Sequence, residues 1–349
     1  MKTQNSKIHG LTLILILLLF AAFSSSTFAQ EKSVLWSLGF DNDLFGKSDD
    51  FFTAGWSLQR HGVAATSWDE LNLSKPSRWI ADFVPGISGG DGQWLRKGIG
   101  LNQIIQTPAD LKETELIVND VPYAGVLGVA NSWTALSDNR INAFQIYLGI
   151  LGPASLAEQV QTFVHTDLGM GTDPMGWDNQ LSTELIINLN YLLARKIGRI
   201  GEIQKGFGAD LSYAGDVGLG NLSTQAQIGL YARLGWRLSE GFSQVSDVAG
   251  RGIIMNPVLG EPLSGKTQFY FSLGVRGTLM AYTVLLDGNT FQDSHSVDYD
   301  HYFAQILLGT HLVHGAWGVH FTLYFNSNPV QDLMTSEPSW GNISVDYRF

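Results

Sequence analysis

The chain ends in "GNISVDYRF", residues 341–349, and this short stretch already restricts the fold. Apolar side chains occupy every second position from Ile343 to Phe349, and polar ones fill the positions between them. A period of two places alternate side chains on opposite faces, so the stretch predicts a β-strand with one apolar and one polar face. A C-terminal strand that closes on Phe is typical of β-barrels of the outer membrane.

The same alternation recurs about twelve times along the chain. Strands are expected to begin near residues 33, 52, 96, 123, 142, 182, 206, 222, 267, 301, 316 and 341. An even strand number matches single-chain bacterial barrels, and closure leaves no unpaired sheet edge in lipid. We therefore predict an all-β fold, a transmembrane antiparallel β-barrel of about 12 strands with a short helix in an outer loop.

The composition favours this class over its alternatives. The chain carries 10 Trp, 11 Tyr and 19 Phe, which suits aromatic girdles at two membrane interfaces. After the N-terminal leader, no apolar run approaches the roughly 18 residues of a membrane-spanning helix. A soluble β-sandwich or propeller is the alternative that the alternation leaves open.

Residues 1–29 have the features of a secretory signal. Lys2 and Lys7 precede an apolar run at residues 11–23, and small residues lead to a cleavage point after Ala29. The run is too short for a membrane anchor, which needs roughly 20 residues. We expect residues 1–29 to be a cleaved signal peptide and residues 30–349 to form the barrel.

The charge and the cysteine content limit the partners and the sources of stability. Removing the two lysines of the leader takes the net charge from −11 to −13. An acidic protein is a poor partner for nucleic acid, whose phosphates require a basic face. The chain has no cysteine, so its stability must come from backbone pairing and burial rather than from disulfides.

Strand parity sorts the connections between the two ends of the barrel. If the first strand runs outward, the connections at residues 41–51, 107–121 and 152–181 all lie at the outer end. Two long connections, at residues 62–95 and 239–266, then lie on the periplasmic side, where turns are usually short. The first of these is expected to form a small helix and an inter-strand plug.

The third outer loop is expected to contain a helix over residues 153–169. Ser155 is the expected N-cap, with Glu158 completing a capping box. Leu156, Val160 and residues 163–164 form an apolar stripe that would lie over the barrel rim and create a cleft there.

Two groups of outer-loop residues are candidates for chemistry. Asp41, Asn42 and Asp43 offer hard oxygen ligands that suit calcium, although a solvated turn has the same composition. His165, in the last turn of the expected helix, suits a general base that activates water, although a lone His at a helix end is often a surface residue. Asp43, Asp167 and Asp173 are the carboxylates that would orient it, and the sequence leaves the choice open.

The H-E-x-x-H zinc motif is missing from the sequence, and no Ser obviously pairs with His165 as the nucleophile of a Ser-His-Asp hydrolase.

Five segments in order resemble the lipid A 3'-O-deacylase family. They are "FDNDLF", "FTAGW", "TPADL", "DVPYAGVL" and "GILGPASLAEQVQTFVH…PMGWDNQL", with "LLDGNTF" as a weaker sixth. The resemblance covers nearly the whole mature chain and implies a twelve-stranded barrel whose active site lies between the barrel wall and the loop helix.

The resemblance also implies roles for individual residues. His165 would activate water while calcium stabilises the oxyanion, and Asn42, Asp43 and Thr53 match the other catalytic positions. Calcium would bind at Asp43 and Asn42, with Asp41 beside them. Lys112 matches a substrate-binding Lys only after a gap.

Two positions depart from the family pattern. Val121 stands in "DVPYAG" where the family usually has Arg. The family's acidic residue shortly after the His has no clean match, because Gly171 or Thr172 occupies that region with Asp173 nearby.

The implied function is hydrolysis of an ester-linked (3'-O) acyl or acyloxyacyl chain of lipid A in lipopolysaccharide. The expected protein is a monomer embedded in the outer membrane of a Gram-negative cell. The alternatives are an outer-membrane phospholipase and a non-catalytic pore or adhesin. With only 15% charged residues, the lumen is expected to be too weakly polar for a wide pore.

Overall fold

A computed structural model describes residues 34–42, 54–169, 171–202, 205–239, 241–243, 245, 266–327 and 339–348. The expected signal peptide and residues Asp43 and Thr53 lie outside these ranges. Within them, no helix is long and apolar enough to cross a bilayer.

Twelve antiparallel strands form a closed barrel in which β1 pairs with β12, so the expected fold is confirmed. The strands are β1 Leu35–Asn42, β2 Ala54–His61, β3 Trp94–Gln106, β4 Ala124–Ser137, β5 Arg140–Leu151, β6 Glu184–Gly201, β7 Phe207–Gly220, β8 Ser223–Trp236, β9 Thr267–Thr283, β10 Tyr302–His314, β11 Trp317–Asn326 and β12 Ser339–Arg348. The described helices are α1 Lys75–Phe83, α2 Ala157–Thr162 and α3 Val284–Asp287, with 3-10 turns at Trp68–Leu71, Pro153–Ser155 and Trp177–Asn179 and a π turn at Phe163–Asp167.

The pleat separates a lipid-facing wall from a filled lumen. In β1, Leu38 and Phe40 are exposed on the wall, whereas Ser37 is buried on the other face. The end that carries the connections after the odd strands is called the outer end below, and the opposite end is called periplasmic.

The loop after β9 closes the lumen at the outer end. Its helix α3 buries Leu285 among inward-facing residues such as Ile104. Gln106 Nε2 at the end of β3 donates to the carbonyl of Leu285 at 2.6 Å. Because β3 and β9 lie six strands apart in a twelve-stranded ring, this contact spans the barrel mouth.

The start of the second long connection enters the lumen at the periplasmic end. Arg233 is buried and donates through Nε to Asp210 at 3.1 Å and through its other nitrogens to the carbonyls of Ser239, Gly241 and Phe242. A buried guanidinium needs a paired carboxylate and satisfied donors, and this arrangement provides both. This connection therefore contributes the internal plug.

The first long connection lies outside the barrel, so the expected plug at residues 62–95 was wrong, although its helix is present as α1. Its contacts are with wall-facing side chains: Trp133 Nε1 donates to Ser77, and Asn142 Nδ2 donates to the carbonyl of Gly86. An apolar cluster fills the interface, with Trp68, Ala81, Ile87, Leu95, Trp133 and Ala135 buried. This connection, at residues 67–87, is called the periplasmic ledge below.

Candidate functional site

The second wall-side helix, α2, packs outside the barrel at the outer end, over β3 and β4. Ile105 and Ala157 are buried together there with Tyr123 and Trp177. Ile105 shares its side of β3 with the exposed, lipid-facing Ile99, so α2 lies on the wall and not in the mouth. The loop helix therefore lies on the side of the barrel that faces the membrane, and the cleft expected beside it stays a prediction.

A glycine in β4 allows α2 to approach the wall closely. A Cβ placed on Gly125 would lie 2.2 Å from the Cβ of Ala157 and 2.3 Å from Oγ of Ser155, which is too close for any side chain. Gln103 Nε2 donates to the carbonyl of Ser155 at 2.7 Å, and Trp56 Nε1 donates to Gln103 Oε1 at 2.9 Å. These bonds tie the helix to β2 and β3.

The expected N-cap at Ser155 was wrong. Ser155 ends the 3-10 turn, and Leu156 is the residue before α2, with a left-handed backbone at φ 61° and no side-chain cap. Ser155 is buried against Gly125, so its hydroxyl is not free to cap the helix.

The buried face of α2 also differs from the expected apolar stripe. Ala157 and Gln161 face inward, whereas Leu156 and Phe163 are 52% and 53% exposed. Val160 of the expected stripe packs against the buried cluster, so the stripe is confirmed at that residue and wrong at Leu156 and Phe163.

The rest of the third loop folds back over α2. Trp177 Nε1 donates to Gln161 Oε1 at 2.9 Å, and the Trp177 ring lies 5.0 Å from that of Tyr123. Burial raises the pKa of the Tyr123 hydroxyl, so the group stays neutral. The amide of Met175 donates to the carbonyl of Leu111 in the second outer loop at 2.7 Å, which brings the two loops together as parity predicted.

His165 lies in the π turn that follows α2 and is half-buried. Its Nδ1 is 2.7 Å from the carbonyl oxygen of Thr172. A carbonyl only accepts hydrogen bonds, so Nδ1 must carry a proton. In the neutral ring the lone pair is then on Nε2, as a general base requires. Single π turns inside helices often mark functional sites.

The Thr172 carbonyl orients the His165 ring, a role for which the sequence suggested the carboxylates of Asp43, Asp167 or Asp173. Asp173 Oδ1 instead accepts from Thr166 Oγ1 at 2.7 Å, and Asp43 lies outside the described residues. A Cβ on Gly171 would lie 2.6 to 2.9 Å from the His165 ring. A side chain at Gly171 would therefore require the His165 ring to move.

The pleat separates the candidate metal ligands of β1. Asn42 shares the lipid-facing side of the strand with Phe40, at its outer end. Asp41 points into the lumen, where it is buried and accepts a hydrogen bond from Asn342 Nδ2. Asp41 and Asn42 therefore do not face one common ion, and the described residues contain no group of three His, Asp or Glu that would hold a metal. The roles predicted for Asn42, Asp43 and Thr53 stay predictions.

The outer end is acidic. Lys112 is exposed and is the one Lys or Arg in the described outer loops, so its predicted substrate role stays a prediction. The acids of these loops are Asp110, Glu113, Glu115, Asp120, Glu158, Asp167, Asp173, Asp178, Asp287, Asp293, Asp298 and Asp300.

Val121, which stands where the family pattern has Arg, is buried with Leu285 in the apolar cluster inside the barrel. An Arg at that position would need a buried ionic partner, so the substitution fits its surroundings.

A sequence model described as "Outer membrane protein LpxR" matches residues 13–349. The chain belongs to the LpxR family of outer-membrane proteins. This confirms the family resemblance and places the protein in the outer membrane. No curated protein matches the chain in a sequence search.

Among solved structures, LpxR from Salmonella typhimurium matches with a TM-score of 0.68 at 17% identity, over 91% of this chain and 100% of that chain. At that identity the match shows the fold alone. The β domain of the Bordetella autotransporter BrkA matches with a TM-score of 0.44 at 11% identity, over 91% of this chain and 100% of that one. That likeness is too weak to carry an argument about this LpxR-family protein.

Sequence reasoning missed the backbone partners of the site. Thr172 acts through its carbonyl, and Gly125 and Gly171 act through the absence of a side chain. The glycines on both sides of Met170 were visible as a signal, but a loop rich in glycine has many explanations.

Proposed function

We propose that this LpxR-family protein is a hydrolase that removes the 3'-O ester-linked acyl or acyloxyacyl chain from lipid A. One observation carries the proposal: His165 is held by the Thr172 carbonyl with Nε2 as the acceptor nitrogen, on a helix attached to the lipid-facing wall at the outer end. An ester in the outer leaflet reaches such a position sideways, without leaving the membrane.

In the proposed reaction, His165 Nε2 removes a proton from water as the oxygen attacks the ester carbonyl carbon. The tetrahedral intermediate then collapses, and the C–O bond to the sugar breaks. The proton passes from the imidazolium to the departing 3'-oxygen, which leaves a fatty acid and a free hydroxyl on lipid A.

The lipid-facing surface of α2 supports a substrate with acyl chains. Leu156 and Phe163, which flank α2, are both exposed and offer apolar contact to an acyl chain that leads to His165. Burial of one such side chain against an acyl chain stabilises the complex by about 1.5–3 kcal/mol.

Calcium remains our prediction for the cofactor. A cation would stabilise the developing oxyanion and would also separate anionic lipid A from the acidic outer loops. Asn42 supplies one hard oxygen on the correct face, whereas Asp41 does not. Because the described residues do not complete a site, no step above passes through the ion.

The geometry weighs against a passive pore and leaves the phospholipase alternative to experiment. The loop after β9 crosses the outer mouth and packs against inward-facing residues there, which weighs against a wide channel. A phospholipase would use the same base on a glycerophospholipid ester, and only the substrate distinguishes the two enzymes.

The test uses purified, refolded protein with two substrates, lipid A and a diacyl glycerophospholipid, and measures fatty-acid release. We expect release from lipid A in calcium, a loss of about 10²–10⁴-fold in His165→Ala, and release that stops in a chelator and returns with calcium. The matched control is His295→Ala, which removes another outer-loop His bonded to a carbonyl, that of Asp120. Full activity in His165→Ala excludes the proposal, and hydrolysis of the phospholipid alone establishes the alternative.

A further inference from the structure

The periplasmic ledge presents a second surface to lipid, at the opposite end of the barrel from His165. Its helix α1 contacts Trp133 of β4, the carbonyl of Gly86 accepts from Asn142 of β5, and Tyr191 of β6 donates to the carbonyl of Pro85 at 3.0 Å. These residues lie on the outer face of the wall. The ledge therefore covers part of the lipid-facing side of the barrel near its periplasmic end.

Helix α1 has three faces, because successive residues are about 100° apart around an α-helix. Ser77 and Ala81 face the barrel. Trp79 and Phe83 form one outer flank and are apolar. Arg78 forms the other flank, where it pairs with Asp69 and Asp82. A helix with one apolar and one charged flank beside a lipid-facing wall has the form of a helix at the water–lipid boundary.

The apolar flank is unusually exposed. Trp79 and Phe83 are 63% and 70% exposed, and their rings stack at 5.0 Å with an angle of 8°. Water solvates such a pair poorly, whereas Trp concentrates at the headgroup level of membranes.

Two cations project from the wall beside the ledge. Lys97 Nζ donates to the carbonyl of Gly98 and to Asn131 Oδ1, and it lies 3.9 Å from the Trp133 ring centroid. Arg195 donates to two carbonyls and to Asn142 Oδ1. Among the described residues, these contacts involve neutral groups only, so no described carboxylate neutralises either charge.

We propose that the periplasmic ledge binds an anionic glycerophospholipid of the inner leaflet. Its acyl chains pack on Trp79 and Phe83, and its phosphate lies near one of the two cations, Lys97 on the β3 side of the ledge or Arg195 on the β6 side. A lipid is the occupant because the surface is continuous with the lipid-facing wall and has cationic groups on both sides of its apolar flank. This binding does not depend on the proposed hydrolase activity.

The test is native mass spectrometry of the full chain in mild detergent, titrated with phosphatidylglycerol or with zwitterionic phosphatidylcholine. The wild type should retain phosphatidylglycerol preferentially. The double variant Trp79→Ala/Phe83→Ala should bind it on the order of tenfold more weakly. Lys97→Gln/Arg195→Gln, which leaves the aromatic pair in place, should lose the preference for the anionic lipid.

The matched control is Phe269→Ala/Phe271→Ala. It removes a lipid-facing aromatic pair of β9, whose ring centroids are also 5.0 Å apart, and leaves the ledge unchanged. It should bind like the wild type. Each variant is first checked for the fast electrophoretic mobility of a folded barrel, and the cation variant tests the proposal if the aromatic variant does not fold. Equal binding by all variants, or an equal loss in the control, overturns the proposal. A dimer that disappears in the aromatic variant assigns the ledge to a second copy and overturns it as well.

Discussion

Helices α1 and α2 both pack on the outside of the barrel, at opposite ends and over neighbouring strands. The interface of α2 is the smaller one, a cluster of Ile105, Tyr123 and Trp177 in which Ala157 lies over Gly125, with hydrogen bonds from Gln103 and Trp177. The interface of α1 is a large apolar cluster around Trp133. One helix is placed by close approach and directional bonds, and the other is held mainly by burial.

The surroundings differ in the same way. The outer loops are acidic, whereas Lys97 and Arg195 flank the ledge with charges that no described carboxylate neutralises. The outside of the barrel wall thus carries one helix at each end, and the two helices differ in how they are held and in the charge around them. Substitutions that perturb α2 should lower the rate of ester hydrolysis while the barrel still folds. Substitutions that perturb α1 should lower stability while the rate of hydrolysis is nearly unchanged.

Apart from His165 itself, the largest effect is expected at Asn42, on the lipid-facing side of β1. Asn42→Ala removes a lipid-facing amide at the outer end and should lower activity by roughly 10²–10³-fold, as the loss of an oxyanion-stabilising group does. Asp41→Asn is the control on the opposite face and should keep activity within about twofold, the effect of a change of roughly 0.5 kcal/mol. Fatty-acid release from lipid A measures both. Equal losses would show that the pleat does not separate their roles.

Gly125→Val tests whether close approach places α2. The new side chain would overlap Ala157 and displace the helix, and a shift of about 1 Å at a catalytic group costs on the order of 100-fold in rate. The barrel should still fold, as judged by electrophoretic mobility before and after heating. Unchanged kcat would mean that α2 does not position His165.

Gly171→Asp restores an acidic side chain near the position where the family carries one. Because its Cβ would meet the His165 ring, we expect at least about a tenfold loss of activity. Thr172→Ala keeps the carbonyl that orients the ring and serves as the matched control. A gain in activity for Gly171→Asp would show that the ring moves to accept a carboxylate.

The smallest effect on activity is expected in the ledge. Gly86 has a φ of 80°, and a Cβ there would lie 2.5 Å from Asn142 Nδ2. Gly86→Ala should therefore lower stability by about 1–3 kcal/mol, seen as an earlier thermal unfolding midpoint, while activity stays within about twofold. Loss of activity at unchanged stability would contradict the division between the two helices.

The sequence predicted the repeating parts of this fold. Alternation located all twelve strands, and parity placed the helix that carries His165 with the other outer loops. The side of β1 on which Asn42 lies could also be predicted. Leu38 and Phe40 occupy the same alternating positions as Asn42, whereas Ser37 and Asp41 occupy the positions between them.

The remaining features depend on tertiary packing. A loop helix packs on the side of the wall where the wall leaves room for it, as Gly125 does for α2. The periodicity of a sequence does not show where such room exists. The same limit explains the expected plug at residues 62–95, since an amphipathic helix packs equally well inside or outside a barrel until its partners are known. The sequence could not identify the Thr172 carbonyl as the partner of His165, because every residue has a backbone carbonyl.

The central claim is that His165, held on the membrane-facing wall, is the base for ester hydrolysis of lipid A. Mass spectrometry of lipid A from the outer membranes of cells that make the protein tests this claim most directly. We expect lipid A that has lost an ester-linked acyl or acyloxyacyl group in cells with the wild type, and intact lipid A in cells with correctly inserted His165→Ala. Intact lipid A with the inserted wild type, or the same loss with His165→Ala, would contradict the account.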